Sequence, residues 1–141
     1  MDVLDAAAGP GEPDSPDEPL AFRIRLFRDS GQVRPEVAAF VAAELVALAA
    51  EGHTVTEESA GLLTSHLLMA LTRLLDGEPI AGSDADGQIA AELSGHPTAL
   101  ARARAVALRA GRELGAVLPE SEVNFLGMHL AVLAQRSTHR S

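Results

Sequence analysis

Two imidazoles stand in runs that are otherwise apolar and helix-forming. His66 lies within TSHLLMALTRLL, Thr64 to Leu75, and His129 within SEVNFLGMHLAVL, Ser121 to Leu133. An uncharged imidazole near neutral pH is a competent nucleophile toward phosphorus. Phosphorylation would exchange a near-neutral ring for strong negative charge and several acceptor oxygens. Arginine nearby could hold those oxygens by paired, charge-assisted hydrogen bonds. A carboxylate beside the ring could fix its tautomer before transfer and be repelled afterwards. The chain supplies both groups at matching intervals: Arg73 follows His66 by seven residues, and Glu122 precedes His129 by seven.

On a helical wheel with His66 at zero, the apolar stripe Ala60, Leu63, Leu67, Ala70, Leu71 and Leu74 covers roughly 40° to 140°. With His129 at zero, Val123, Leu126, Leu130, Leu133 and Ala134 cover a similar arc, and Phe125 and Val132 border the ring on its outer side. Both histidines therefore fall at the seam between core and solvent, where a partner protein can reach them. A lone histidine at such a seam is more often structural than functional. Two at equivalent positions, each with charge two turns away, narrow that gap without closing it.

The elements that must position these rings read as helices. Phe22, Ile24 and Leu26 alternate with Arg23 and Arg25, as in a strand, but Arg25 and Arg28 near a Ser30-Gly31 stop favour a short helix over Ala21 to Asp29. Pro35 opens a second helix that stops at Gly52. Thr56 caps a third, with Glu57 and Glu58 in its first turn, and Gly77 ends it. Asp76 to Gln88 reads as loop, then a short helix covers Ile89 to Leu93. Pro97 starts a long Ala/Arg-rich helix to Leu114, and Pro119 starts a final one to about Arg136. The expected class is all-α, a compact bundle of about five helices with short connections. Residues 20–136 form the domain, residues 1–19 an acidic disordered segment, and residues 137–141 a polar tail.

The totals bound the function. A chain of 141 residues is the size of one domain. It has no cysteine, so disulfides and thiolate metal sites are excluded. All 11 basic residues are arginine, which excludes lysine chemistry. Six acids and four of the eight prolines lie in the first 19 residues, which hold no base, so that segment carries six of the nine net negative charges. Such composition cannot bury enough apolar surface to order itself. With four Phe, no Trp, no Tyr and no basic face, direct nucleic-acid binding is not expected. No apolar run approaches a membrane span, and no secretory signal is visible. The expectation is a cytoplasmic protein.

The two motifs together resemble those of the PTS regulation domain (PRD) of bacterial sugar-responsive regulators. Ser65-His66-Leu67-Leu68-Met69-Ala70-Leu71-Thr72-Arg73 is similar to the first family motif, and Glu122-Val123-Asn124-Phe125-Leu126-Gly127-Met128-His129-Leu130 to the second. The 63-residue separation of the histidines also suits the family, and the resemblance extends over about Gln32 to Leu133. It implies an all-helical fold, homodimerisation, and phosphorylation of His66 and His129 by the phosphocarrier HPr or a sugar-specific EIIB. Arg73 and Glu122 inherit supporting roles. The chain departs from the pattern at Ser65, where many members have Asp. It holds one domain copy and no nucleic-acid-binding module, so it resembles the small stand-alone members. The implied function is a phosphorylatable regulatory module, not an enzyme, with no cofactor. The alternative is a degenerate domain that only mediates interaction or dimerisation.

Other signals carry less. Asp84-Ala85-Asp86-Gly87 resembles the start of a calcium loop, but the first and twelfth positions would be Gly82 and Leu93, which offer no carboxylate. A metal site at His66 and His129 would require the two helices to face each other. Arg102, Arg104, Arg109 and Arg112 read as a solvated face. His53 and His96 sit beside helix ends, and His139 lies in the tail.

Overall fold

The computed structural model describes residues 16–78 and 86–139. Six helices account for most of them: α1 (Glu18–Asp29), α2 (Pro35–Ala50), α3 (Glu57–Leu75), α4 (Asp86–Leu93), α5 (Pro97–Leu114) and α6 (Glu120–His139). The class is all-α, with no strand among the described residues, but the helices number six rather than five. The region from Ala21 to Asp29 is helical despite its alternating pattern. Leu20 and Ile24 are buried while Phe22 and Leu26 are exposed, as one helical face requires; a period of two would place all four on the same face.

Three boundaries differ from expectation. Helix α1 takes in Glu18 and Pro19, because a proline is tolerated in a first turn and Glu18 favours the positive end. Helix α4 begins at Asp86, inside the stretch read as loop. Helix α6 continues to His139 through most of the polar tail. The acidic segment before residue 16 and the central part of the expected loop, 79–85, lie outside the described residues.

Punctuation elsewhere follows the sequence. Thr56 and Ser59 form a reciprocal cap on α3: the Ser59 amide donates to Thr56 Oγ1 at 3.2 Å, and the Thr56 amide donates to Ser59 Oγ at 2.9 Å. Helix α5 stops at Gly115, whose φ of 76° is the left-handed cap conformation that glycine adopts without strain.

Helix α2 is apolar on most sides and buries Val37, Ala38, Phe40, Val41, Leu45 and Leu48. Helix α3 packs against α1, α2 and α6, and α6 packs against α3, α4 and α5. Gly127 is what lets α4 approach α6 so closely, since a β-carbon there would lie 3.2 Å from Leu93 Cδ1. The core joins Leu20, Val37, Val41, Leu68, Leu71 and Leu133, each almost wholly buried.

Charged pairs staple the helices across this core. Glu44 is buried on α2 and accepts two hydrogen bonds from Arg109 on α5, from Nε and Nη2, each 2.6 Å. The fork-to-carboxylate geometry satisfies both groups together, and the pairing raises the Arg109 pKa. Arg109 thus faces inward at this point rather than lying on a fully solvated arginine face. Arg34 holds Asp76 and the Leu75 carbonyl, tying the start of α2 to the end of α3.

Removing only one member of the buried pair should be costly, because the other is left without a partner. Arg109→Met is expected to lower unfolding free energy by roughly 2–4 kcal/mol, discounted from the fully buried case because the arginine is partly exposed. Arg104→Met, which breaks the exposed Arg104–Glu120 pair, should cost under about 1 kcal/mol. Urea unfolding of the two variants checks the contrast.

Candidate functional site

The site begins with the antiparallel run of α3 past α6. Arg136, near the end of α6, reaches the Glu58 carbonyl in the first turn of α3. Glu122, in the first turn of α6, therefore stands beside the middle of α3. There its Oε1 lies 2.6 Å from His66 Nε2. The carboxylate side chain is only 11% exposed, whereas that of His66 is 37% exposed. A largely enclosed carboxylate thus grips one edge of a ring that is itself partly exposed. With the Nε2 proton donated to Glu122, the lone pair is carried by Nδ1.

Phe125, one turn after Glu122, forms the wall of the site. Its ring centroid is 4.2 Å from that of His66 and 4.6 Å from that of His129, the latter in an edge-on arrangement. The two histidines are thereby brought to one place, although they come from helices distant in sequence. Both pack on Phe125. Among the described residues no group of three His, Cys, Asp or Glu could hold a metal.

His129 opens onto a cleft of about 470 Å³, shared with Arg23, Glu57, Glu58, Leu62, Met128 and Arg136 among others. Burial lowers its pKa, and the neighbouring His66 lowers it further. The ring is therefore uncharged near neutral pH, the form required of a nucleophile.

The supporting residues are partly rearranged relative to the sequence expectation. Glu122 is at the site, but it serves His66 across the helix interface rather than His129 along its own helix. Ser65 is also there, with its Oγ accepting a hydrogen bond from Arg23 Nη1 at 2.8 Å. Arg73 is not brought in: it lies exposed in the last turn of α3, with no hydrogen bond or ion pair to His66. The arginine that does reach the neighbourhood is Arg23 of α1. It pairs with Glu57 through both Nε and Nη2 and ends on the residue preceding His66.

A glycine explains how Arg23 gets there. Gly61 lies mid-helix, where glycine costs up to about 1 kcal/mol relative to alanine. A β-carbon at this position would lie 3.1 Å from Glu57 Oε2 and 3.2 Å from Arg23 Nη2. The missing side chain leaves a notch across α3 through which the ion pair runs. One signal for Arg23 was present in the chain: it borders the Leu20–Ile24 stripe of α1, so an inward-leaning guanidinium was available once that segment is helical.

No family model, curated protein or solved structure matches the chain.

Two consequences are measurable. Because the folded state holds His129 below its ordinary pKa of 6.5, the unfolded chain takes up the proton first as pH falls. This ring's contribution to stability therefore declines as pH drops through 6.5 toward the lower folded value. His129→Gln should flatten stability against pH just below 6.5, read by urea unfolding across that window. Gly61→Ala should displace Arg23 from Ser65 at little cost in stability, because helix propensity offsets the crowding of flexible side chains. Nitrogen-edited NMR of the Arg23 Nε–H signal alongside thermal melts would check it.

Proposed function

We propose that this chain is a phosphorylatable regulatory module of the PRD kind, accepting phosphate on His66, His129 or both. The observation that carries the reading is the Glu122–His66 hydrogen bond with Phe125 shared by both rings. It supplies an oriented imidazole, a carboxylate to balance charge on it, and a second uncharged imidazole alongside.

The chemistry follows from that arrangement. The Nδ1 lone pair of His66 attacks phosphorus as the donor's own bond to phosphorus breaks. The positive charge that develops on the ring is offset by Glu122 through the Nε2 proton. Once the phosphoryl group is in place its negative charge opposes the same carboxylate, which weakens the tie between α3 and α6. At His129, the cleft offers Arg23 and Arg136 as cations for the new oxygens. The donor in this reading is HPr or an EIIB protein. The output is altered packing of a homodimer or of another partner, in the cytoplasm. The chain is then a substrate of phosphotransfer rather than an enzyme, uses no cofactor, and does not contact nucleic acid directly. No described helix is long and apolar enough to cross a membrane, in keeping with this reading.

A second reading, an interaction module that is never phosphorylated, draws support from Ser65 and from apolar side chains left in solvent. Phe22 and Leu26 on α1 and Leu62 on α3 are each more than half exposed.

Incubation with Enzyme I, HPr and phosphoenolpyruvate, followed by mass spectrometry under conditions that preserve phosphohistidine, separates the two. The expected result is one or two phosphoryl groups, absent from the His66→Ala/His129→Ala double variant. Glu122→Gln should slow labelling of His66 by about tenfold or more, since the orienting carboxylate is lost. An unlabelled wild type beside an active donor would leave the interaction module as the reading.

A further inference from the structure

At the end of α6 opposite Arg136, the bundle exposes a second apolar surface. Leu108 on α5 and Val117 in the α5–α6 connection are 62% and 79% exposed, and both line an open groove of about 450 Å³. Leu118 of the connection and Glu120 and Val123 of α6 line it too. Arg104 and Arg112, both exposed, complete the lining from α5. Arg104, Leu108 and Arg112 follow one another at intervals of four, so they share one face of α5, with the leucine midway between the cations. The two arginines are about 12 Å apart along the helix axis. Arg104 meets Glu120 at 3.2 Å, but the pair is exposed, and pairs of that kind are weak enough to be exchanged for another.

We propose that residues 1–15 of this same chain dock in the groove, with Val3 and Leu4 against Leu108 and Val117 and with Asp2 and Asp5 on the two arginines. Three observations select this occupant. First, the segment holds four acids and no base, and its Asp2-Val3-Leu4-Asp5 run sets an apolar pair between two carboxylates, the complement of the Arg–Leu–Arg face. In extended chain Asp2 and Asp5 are about 10 Å apart, close to the spacing of the arginines. Second, the other clefts with arginine oppose an acidic segment. The cleft at His129 carries Glu57 and Glu58 beside its arginines, and the cavity at Arg102 carries Glu51, already paired with that arginine. Third, the segment reaches. Asp17 shares a cleft with Val132 and Arg136, and the course of α6 from there back to Glu120 is about 24 Å. The chain from Pro16 to Leu4 spans up to about 40 Å. A tether of that length keeps the segment at roughly millimolar effective concentration, which suits a shallow groove. Docking covers both cations, so an acidic partner protein must first displace the segment. None of these residues belongs to the His66–His129 cluster, and the proposal does not rest on phosphorylation.

Because the chain has no cysteine, Ala7→Cys gives the full protein a single site for a nitroxide label. In the nitrogen-15-labelled protein the nitroxide should broaden the backbone amide signals of Leu108, Arg112 and Val117, and its reduction should restore them. Sodium chloride at about 1 M, where screening acts within about 3 Å, should weaken the broadening. Val3→Ser/Leu4→Ser should lower the docked-to-free ratio by about tenfold or more, because two apolar side chains no longer gain burial. That variant leaves every core residue in place, so it carries the test should Arg112→Glu, expected to act in the same direction, fold poorly. The proposal is overturned by broadening confined to the start of α1, by broadening centred on another cleft, or by broadening that neither salt nor Val3→Ser/Leu4→Ser reduces. It is overturned as well if spin-labelled chain mixed with cysteine-free nitrogen-15 chain broadens the same amides equally, since the occupant is then a second copy.

Discussion

The contact on which the site depends is the carboxylate of Glu122, largely enclosed in the first turn of α6 and closed onto His66 Nε2. A carboxylate this enclosed needs a donor, and a ring this accessible needs an anchor; each meets the other's requirement. The bond also sets the register of α3 against α6. With Glu122 opposite His66, the antiparallel course brings Arg136 to the start of α3 and seats Phe125 between the two histidines' environments. The rest of the bundle holds that register. The Glu44–Arg109 pair locks α2 to α5, Arg34 locks α2 to α3, and Gly127 admits Leu93 close to α6.

Much of the helical layout was legible in the chain because it is written in local terms. Thr56 with Glu57 and Glu58, Pro35, Pro97 and the glycines at 31, 52 and 77 each act within one turn, so their meaning survives without knowledge of the fold. The wheel positions of His66 and His129 were legible for the same reason. Relations between helices were not. Seven-residue spacing suggested Arg73 for His66 and Glu122 for His129, but spacing along one helix says nothing of what the adjoining helix presents. Glu122 crossed to the other histidine, and Arg73 stayed in solvent. Arg23, 42 residues before Ser65, could be found only once α1 was laid across α3. The notch at Gly61 had no local sign either, for a mid-helix glycine reads as a weak point until its neighbour is known.

The remaining differences lie at element ends. Helix α1 gained Glu18 and Pro19, α4 gained Asp86 to Gln88, and α6 ran on to His139. In each case polar composition argued against helix, while continuity with an apolar turn already docked on the bundle argued for it. Composition describes what a residue prefers alone, whereas a neighbouring turn supplies hydrogen-bond partners that lower the cost of adding one more residue.

Phe125 has an implication for how such a molecule responds. One benzene ring is the common neighbour of two imidazoles on different helices, so neither has surroundings of its own. Whatever tilts or pushes that ring from one side alters contact area, hydration and basicity on the other. The two histidines are therefore coupled through that ring, and a change at one alters the surroundings of the other.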